Sequence, residues 1–481
     1  MAATLLAQDK KEAAGQMVSA ASYVQANFDR FLAELVDWLK IPSISSSSQH
    51  KTDVVRAINY GAGLLEKLGF KTETLQTKGH PSLYAEKIVS ATAPTVLIYG
   101  HLDVQPVDPL DQWKTPPFEP RREGDRLWGR GTADDKGQVM IHFKACETLI
   151  KTKGELPVNI KFIVEGEEEI GSPNFEQLVS NYKDKLKSDV ALVSDTAMVA
   201  ENCPTISYAT RGLVYFEVSV EGPKIDLHSG QFGGAVLNPA LALSQILTAM
   251  VDKNGKVTIP GFYKDVANPT AEEKRWFKRA ERLQNKELAF VAGVPLAGGE
   301  KGKGLIERVW ARPTFEVHGL ISGFQGEGSK TIIPQRASAK VSVRLVPKQD
   351  PAKITNAFKR HVAKLTPKGV KVTVKTFQGG GPAFLENPKT PVFLAAKQAL
   401  KEVFKTEPYY ERCGGSIFAP ELFKKVFPAT PVVMLGFGLP GENAHAPNEW
   451  LSLDNFRRGI LTCARYYELL PVALIGTDTN F

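Results

Sequence analysis

Tyr99-Gly100-His101-Leu102-Asp103-Val104 closes an apolar run, Thr95 to Tyr99, that reads as a buried strand. A strand leading straight into His-x-Asp sets an imidazole at the strand's carboxyl end, where open α/β sheets bind their ligands. One ring nitrogen of His101 can ligate a metal ion. Asp103, two residues on, can accept a hydrogen bond from the other nitrogen and fix the tautomer. A plain loop would carry the same triplet, so the neighbouring segments decide its meaning.

Two further apolar runs end in carboxylates. Val158 to Val164 leads into Glu165-Gly166-Glu167-Glu168-Glu169-Ile170-Gly171-Ser172. Acidic side chains this close repel unless cations or solvent relieve them. A solvated acidic turn is one reading; a metal ligand beside a general base is the other. Asp189 to Val193 ends in Ser194-Asp195. Between these strands, Leu127-Trp128-Gly129-Arg130-Gly131-Thr132-Ala133-Asp134-Asp135-Lys136-Gly137 opens a helical stretch, Gln138 to Ile150. Its two carboxylates can cap the helix or bridge two cations. After an apolar strand, Val432 to Gly436, a polar loop carries His445 in Gly441-Glu442-Asn443-Ala444-His445-Ala446-Pro447-Asn448-Glu449.

The rest of the chain frames these segments. At 481 residues, two domains are expected. Helical spacing over Ala20 to Leu39 and Asp53 to Leu68, then strands at Lys71 to Gln76 and Ser82 to Ile88, open a mixed α/β domain. Tyr208 to Gly212 reads as a boundary. Beyond it come an alternating strand (Val214, Phe216, Val218, Val220), Asp226-Leu227-His228-Ser229-Gly230 and a helix from Pro239 to Val251. A charged helix from Asp265 to Ala289 and a glycine-rich loop from Val291 to Gly304 follow, then strands at Thr314 to His318 and Ala337 to Leu345. This is the pattern of a small α+β sandwich. After Gln378-Gly379-Gly380-Gly381-Pro382 helices return at Pro391 to Phe404 and Leu453 to Leu470. The expected fold class is therefore α/β. A mixed-sheet domain of residues 1–211 and 379–481 is interrupted by an α+β sandwich at 212–378.

Composition narrows the function. Hydrophobic residues at 43% and charged residues at 23% are ordinary for a globular chain. No apolar run approaches the ~20 residues that span a bilayer, so no membrane partner is expected. Met1 to Met17 lacks the order of a signal peptide. Cys146, Cys203, Cys413 and Cys463 form no Cys-x-x-Cys pair, which argues against a disulfide framework or structural zinc and fits a reducing, cytoplasmic setting. The net charge of +8 is spread among Asp and Glu with no arginine-rich arm, so it reads as a solvated basic surface rather than a nucleic-acid site, and such a surface would also draw an acidic small substrate. Gly323-Phe324-Gln325-Gly326-Glu327-Gly328-Ser329-Lys330-Thr331 fails as a phosphate loop, because Ser329 intervenes before Lys330 and Ile332-Ile333-Pro334 forbids a helix.

These motifs, in this order and spacing, resemble the co-catalytic zinc peptidases that include aminoacylase, glutamate carboxypeptidase and the cytosolic dipeptidases. The resemblance is strongest to the nonspecific dipeptidase and carnosine dipeptidase branch. It is carried there by Tyr208-Ala209-Thr210-Arg211-Gly212, Asp226-Leu227-His228-Ser229-Gly230, Gly233-Gly234, Lys330-Thr331-Ile332-Ile333-Pro334, Val343-Arg344-Leu345-Val346-Pro347 and Gly414-Gly415-Ser416-Ile417. Glu167 and the Ala-His-Ala-Pro-Asn-Glu loop depart from the pattern and bear on substrate range.

The resemblance implies two divalent ions, zinc by default with manganese serving some relatives. Asp134 would bridge them, His101 and Asp195 would complete one, and Glu169 and His445 the other. Glu168 would be the general base, Asp103 its catalytic companion behind His101, and the Asp134–Asp135 peptide cis. The inserted domain would cover the site and form a homodimer, through which His228 reaches the partner's site to stabilise the oxyanion. Arg344, with Thr331, Gly415 and Ser416, would hold the substrate's carboxylate. The implied reaction is hydrolysis of unblocked dipeptides. An N-acyl-amino-acid deacylase of the acetylornithine or succinyl-diaminopimelate type would use the same dinuclear site. A non-catalytic scaffold fits poorly with a complete ligand set plus Glu168.

Overall fold

Helical spacing of apolar residues sets the first element, α1 (Ala20–Leu39), whose buried face includes Val24, Phe28, Phe31, Leu35 and Trp38. Ser19 caps it, its hydroxyl accepting from the Ser22 N–H at 3.1 Å. The computed structural model describes residues 18–377 and 380–475. Met1 to Met17, the 378/379 crossing expected between domains, and the last residues of the expected outer domain lie outside the described residues. Among the described residues, the chain divides into two compact units. One holds residues 18–206, 387–408 and 423–475, the other 207–386 and 409–422.

In the first unit α1 is followed by α2 (Lys51–Glu66), β1 (Lys71–Leu75), β2 (Ser82–Lys87) and β3 (Thr95–His101). Then come α3 (Lys136–Lys153), β4 (Asn159–Glu165) and β5 (Val190–Val193). β3 is buried from Val96 onward, as its apolar run requires. It pairs in parallel with β4 and β5, whereas β2 joins β4, and β1 joins β2, antiparallel. The sheet is mixed, as expected. α3 is buried along almost its whole length and lies hard against β3. A Cβ on Gly100 would come within 2.4 Å of the Val139 side chain, and one on Gly137 within 1.9 Å of the Thr132 carbonyl oxygen. Only glycine permits this approach, which brings the start of α3 to the end of β3. α3 begins two residues before the stretch that the sequence marks. Lys136 is buried inside it, and its Nζ donates to the Ile41 carbonyl at 2.8 Å.

The second unit contains β6 (Gly212–Glu221), α4 (Pro239–Thr248), α5 (Ala271–Ala292), β7 (Thr314–Ser322), β8 (Arg336–Leu345), α6 (Pro351–Leu365) and β9 (Lys371–Thr376). Its sheet runs β7-β8-β6-β9 and is antiparallel throughout. Alternation along β6 buries Val214, Phe216, Val218 and Val220 against residues of α4 and α6, with the Phe216 and Phe358 rings stacked at 4.2 Å. The segment Tyr409–Leu422, with Gly415 and Ser416, belongs to this unit. Buried polar groups tie it there. Glu411 accepts from Ser207 Oγ at 3.0 Å, and Arg412 Nε donates to Glu273 at 2.9 Å.

The first unit resumes with α7 (Pro391–Phe404), β10 (Val432–Met434), parallel to β5, and α8 (Leu453–Ile475). Among the described residues, no helix is long and apolar enough to cross a membrane.

Candidate metal centre

The parallel register of β3 and β4 sets His101 opposite Glu165, and the Leu102 N–H donates to the Glu165 carbonyl at 2.9 Å. Asp195 follows two residues after β5, and the Asp134–Asp135 peptide, at the entry to α3, is cis. Three strand ends and one helix start therefore converge. His101 Nε2 lies 2.9 Å from Asp134 Oδ1, whereas His445 Nε2 lies 3.0 Å from Asp134 Oδ2 and 3.1 Å from Glu169. Ligand atoms of His101, Asp134 and Asp195 fall within 4.8 Å of one another, and so do those of Asp134, Glu169 and His445. Asp134 is common to both groups and turns one oxygen to each imidazole.

The donor set is mixed imidazole and carboxylate, which suits zinc and neighbouring divalent ions. Its electrostatics ask for a cation. Burial pushes the Asp195 carboxyl well above the usual range, and Asp134 and Asp135 push it further. Burial likewise lifts Glu168 to about 7, with Asp134 and Glu169 adding to the rise against His101. Burial would also raise Asp134, but His101 and His445 hold it well below the ordinary value. His445 is raised to about 10 by its hydrogen bonds to Asp134 and Glu169. Burial draws His101 down, yet Asp103 and Asp134 outweigh it and raise the ring well above 6.5. Cations here would relieve the repulsion among the carboxylates and take over the role of the imidazolium protons.

Neighbouring groups fix this geometry. The Asp103 carboxylate accepts from the Glu168 and Glu169 N–H groups at 3.2 and 3.0 Å. The acceptor nearest His101 Nδ1 is the Asp103 backbone carbonyl at 3.1 Å, with the carboxylate at 3.5 Å. Asp103 thus orients the Glu168–Glu169 turn at least as much as the imidazole. Gln105 Nε2 donates to Glu169 at 2.7 Å. The acidic run is not a solvated turn. Glu165 is buried, with Tyr99 and Ser172 hydroxyls on it at 2.5 and 2.9 Å. Glu167 is buried against the His80 N–H at 2.8 Å and Asn174 at 2.9 Å. The departure at Glu167 therefore pins a neighbouring loop, and only Glu168 and Glu169 turn to the centre.

Sequence reasoning missed Glu449. It is fully buried and straps down the loop that presents Asp134. One oxygen takes Arg130 Nη1 at 2.8 Å and the Gly131 N–H at 3.0 Å; the other takes the Ala133 and Asp134 N–H groups at 2.9 and 3.1 Å. An acidic residue closing the His445 loop was the available signal. Glu449→Ala is expected to destabilise the metal-free protein by roughly 3–5 kcal/mol, because it strands a buried guanidinium. Urea unfolding measures this, and a loss under about 1 kcal/mol would disprove the strap.

The remaining candidates lie in the second unit. Arg344 Nη1 donates to Ser416 Oγ at 2.7 Å, Ser416 Oγ donates to the Arg211 carbonyl at 2.5 Å, and the Gly415 carbonyl accepts the Arg211 N–H at 2.9 Å. The Thr331 carbonyl accepts the Ser229 N–H at 3.1 Å, beside the pairing of Leu227-His228 with Ile332-Ile333. His228 is exposed and caps a short helix, its Nδ1 accepting from the Gly230 N–H at 3.0 Å. A neutral ring then carries its proton on Nε2, which leaves that nitrogen a donor.

A family model described as peptidase family M20/M25/M40 matches residues 97–469. The chain is 32% identical over 463 residues to Beta-Ala-His dipeptidase of Homo sapiens, covering 92% of this chain and 91% of that protein. Among solved structures, the di-peptidase Dug1p from Saccharomyces cerevisiae superposes with a TM-score of 0.83 at 29% identity, over 95% of this chain and 99% of its own. The M20 family metallo-carboxypeptidase Sso-CP2 from Sulfolobus solfataricus gives 0.83 at 36% identity, over 92% and 99%.

Proposed function

Because the chain belongs to peptidase family M20/M25/M40 and is a metal-dependent hydrolase, we propose that it cleaves the peptide bond of small unblocked dipeptides. The observation that carries the reading is the sharing of Asp134 between two ligand groups, with Glu168 beside them. The similarity to enzymes named as dipeptidases supports the substrate class.

His101, Asp134 and Asp195 would hold one divalent ion, and Asp134, Glu169 and His445 the second. Zinc fits the donors best, and manganese is the alternative. When bound, such a pair lowers the pKa of a shared water and polarises a peptide carbonyl. Glu168 would accept the water's proton and deliver it to the leaving amine. Asp103 keeps Glu168 and Glu169 in place through their backbone N–H groups. Arg344 and Ser416, with Gly415 and Thr331, hold the free carboxylate of the dipeptide. The unit that includes residues 212–378 acts as lid and homodimer contact, and His228 donates from Nε2 to the oxyanion at the partner's site. The enzyme works in the cytoplasm, as its scattered cysteines suit.

A substrate panel on metal-replete protein tests this reading. Ala-Leu, Cys-Gly and β-Ala-His are expected to be cleaved at least about tenfold faster, in kcat/KM, than their N-acetyl forms or N-acetylornithine. Cleavage of the acylated set alone would keep the metal centre and assign the enzyme to the deacylases.

A further inference from the structure

A cavity of about 350 Å³ in the second unit is lined by Arg211 and Arg344, with Leu296, Leu305 and Val309 on its apolar side and Glu316 at the strand β7. Both arginines are half-buried. Arg211 spends Nε on the Gly414 carbonyl at 2.7 Å, which leaves both of its terminal nitrogens; Arg344 spends one N–H on Ser416 at 2.7 Å. Among the described residues, no carboxylate forms an ion pair with either guanidinium. The lining carboxylate, Glu316, forms an ion pair with neither, and the third lining guanidinium, Arg308, is turned to the Gly298 and Leu296 carbonyls, so Arg211 and Arg344 share a partly desolvated space with little compensation.

We propose that Arg211 is the second cation of the carboxylate site, so that the substrate's terminal carboxylate is held between two guanidinium groups rather than by Arg344 alone. The identity of that anion rests on the dipeptidase reading above. Three features converge on it. Arg211 is built into the loop that carries Gly415 and Ser416, through its N–H, its carbonyl and its Nε. Its terminal nitrogens are unspent, and a planar fork of that kind matches a carboxylate. Mutual repulsion disfavours the empty site. Burial lowers the Arg211 pKa, and Arg344 lowers it further, to about 10, against the opposing pull of Cys413 and Glu316. An anion between the two groups removes that repulsion, whereas a neutral amide leaves it in place. The apolar wall takes the side chain of the same terminal residue.

The test is the ratio of kcat/KM for Ala-Leu to that for Ala-leucinamide, measured in the wild type, Arg211→Met and Arg211→Lys. Arg211→Met is expected to lower the acid-to-amide ratio roughly tenfold or more, chiefly through KM, and Arg211→Lys to restore part of it. Inhibition by leucine against leucinamide gives the same ratio without turnover. An unchanged ratio in Arg211→Met, or an equal loss on acid and amide, overturns the proposal, since a purely structural role would move both together. If Arg211→Met does not fold, Arg211→Lys decides. It keeps the charge but loses the fork, and a wild-type ratio in it overturns the proposal. Should the wild type cleave N-acetyl-leucine and no unblocked dipeptide, the dipeptidase reading fails. The same ratio on N-acetyl-leucine and its amide then still decides the role of Arg211.

Discussion

Glu168→Ala is expected to lower kcat on an unblocked dipeptide by roughly 10³-fold or more while the protein keeps its metal. The two effects separate because Glu168 belongs to neither ligand group, yet sits beside both. Its carboxylate can accept a proton, and an alanine offers no acceptor. The turn itself survives the change, since Asp103 holds it through backbone N–H groups that alanine retains. Steady-state kinetics beside elemental analysis of the same sample check both halves. Activity within tenfold of wild type would remove Glu168 from the role of base. Loss of metal would make it a ligand instead.

Asp134→Ala is the more damaging change. Its two oxygens face different imidazoles at 2.9 and 3.0 Å, so one substitution dismantles both ligand groups. Metal content is expected to fall to near zero and activity by at least about 10⁴-fold, because water activation and carbonyl polarisation go together. Asp195→Ala supplies the contrast. It touches only the group with His101 and should leave the ion held by Glu169 and His445. Elemental analysis after dialysis distinguishes the two variants, with circular dichroism to show that each is folded. Equal metal content in both would mean that Asp134 does not bridge.

The fold was legible where burial is uniform or periodic. β3 announced itself because both of its faces are covered, and β6 because only one is. The candidate ligand residues stood out because each follows such a strand or opens the helix packed upon it. Other features depend on contacts that no local pattern carries. Glu449 binds N–H groups more than 300 positions earlier. The hold of Asp103 on Glu168 and Glu169 is made through their backbone, which side-chain identity does not reveal. Lys136 looks like a turn residue beside Gly137 but is the first residue of α3. The true start of α5 was readable all the same. Thr270 and Glu273 form a capping box, a signature that the charged character of the segment obscured.

The strap from Glu449 to the Asp134 loop also sets the order in which the enzyme comes alive. The two ends of that contact are 315 residues apart in the chain. A ribosome adding ~5–20 residues per second needs roughly 15–60 s between them. Between the addition of Asp195 and that of His445 the nascent chain carries His101, Asp134, Glu169 and Asp195 but neither His445 nor Glu449. On the function proposed above, the growing chain then holds one candidate ligand group without the second, and the strap on the Asp134 loop can close only after Glu449 is added.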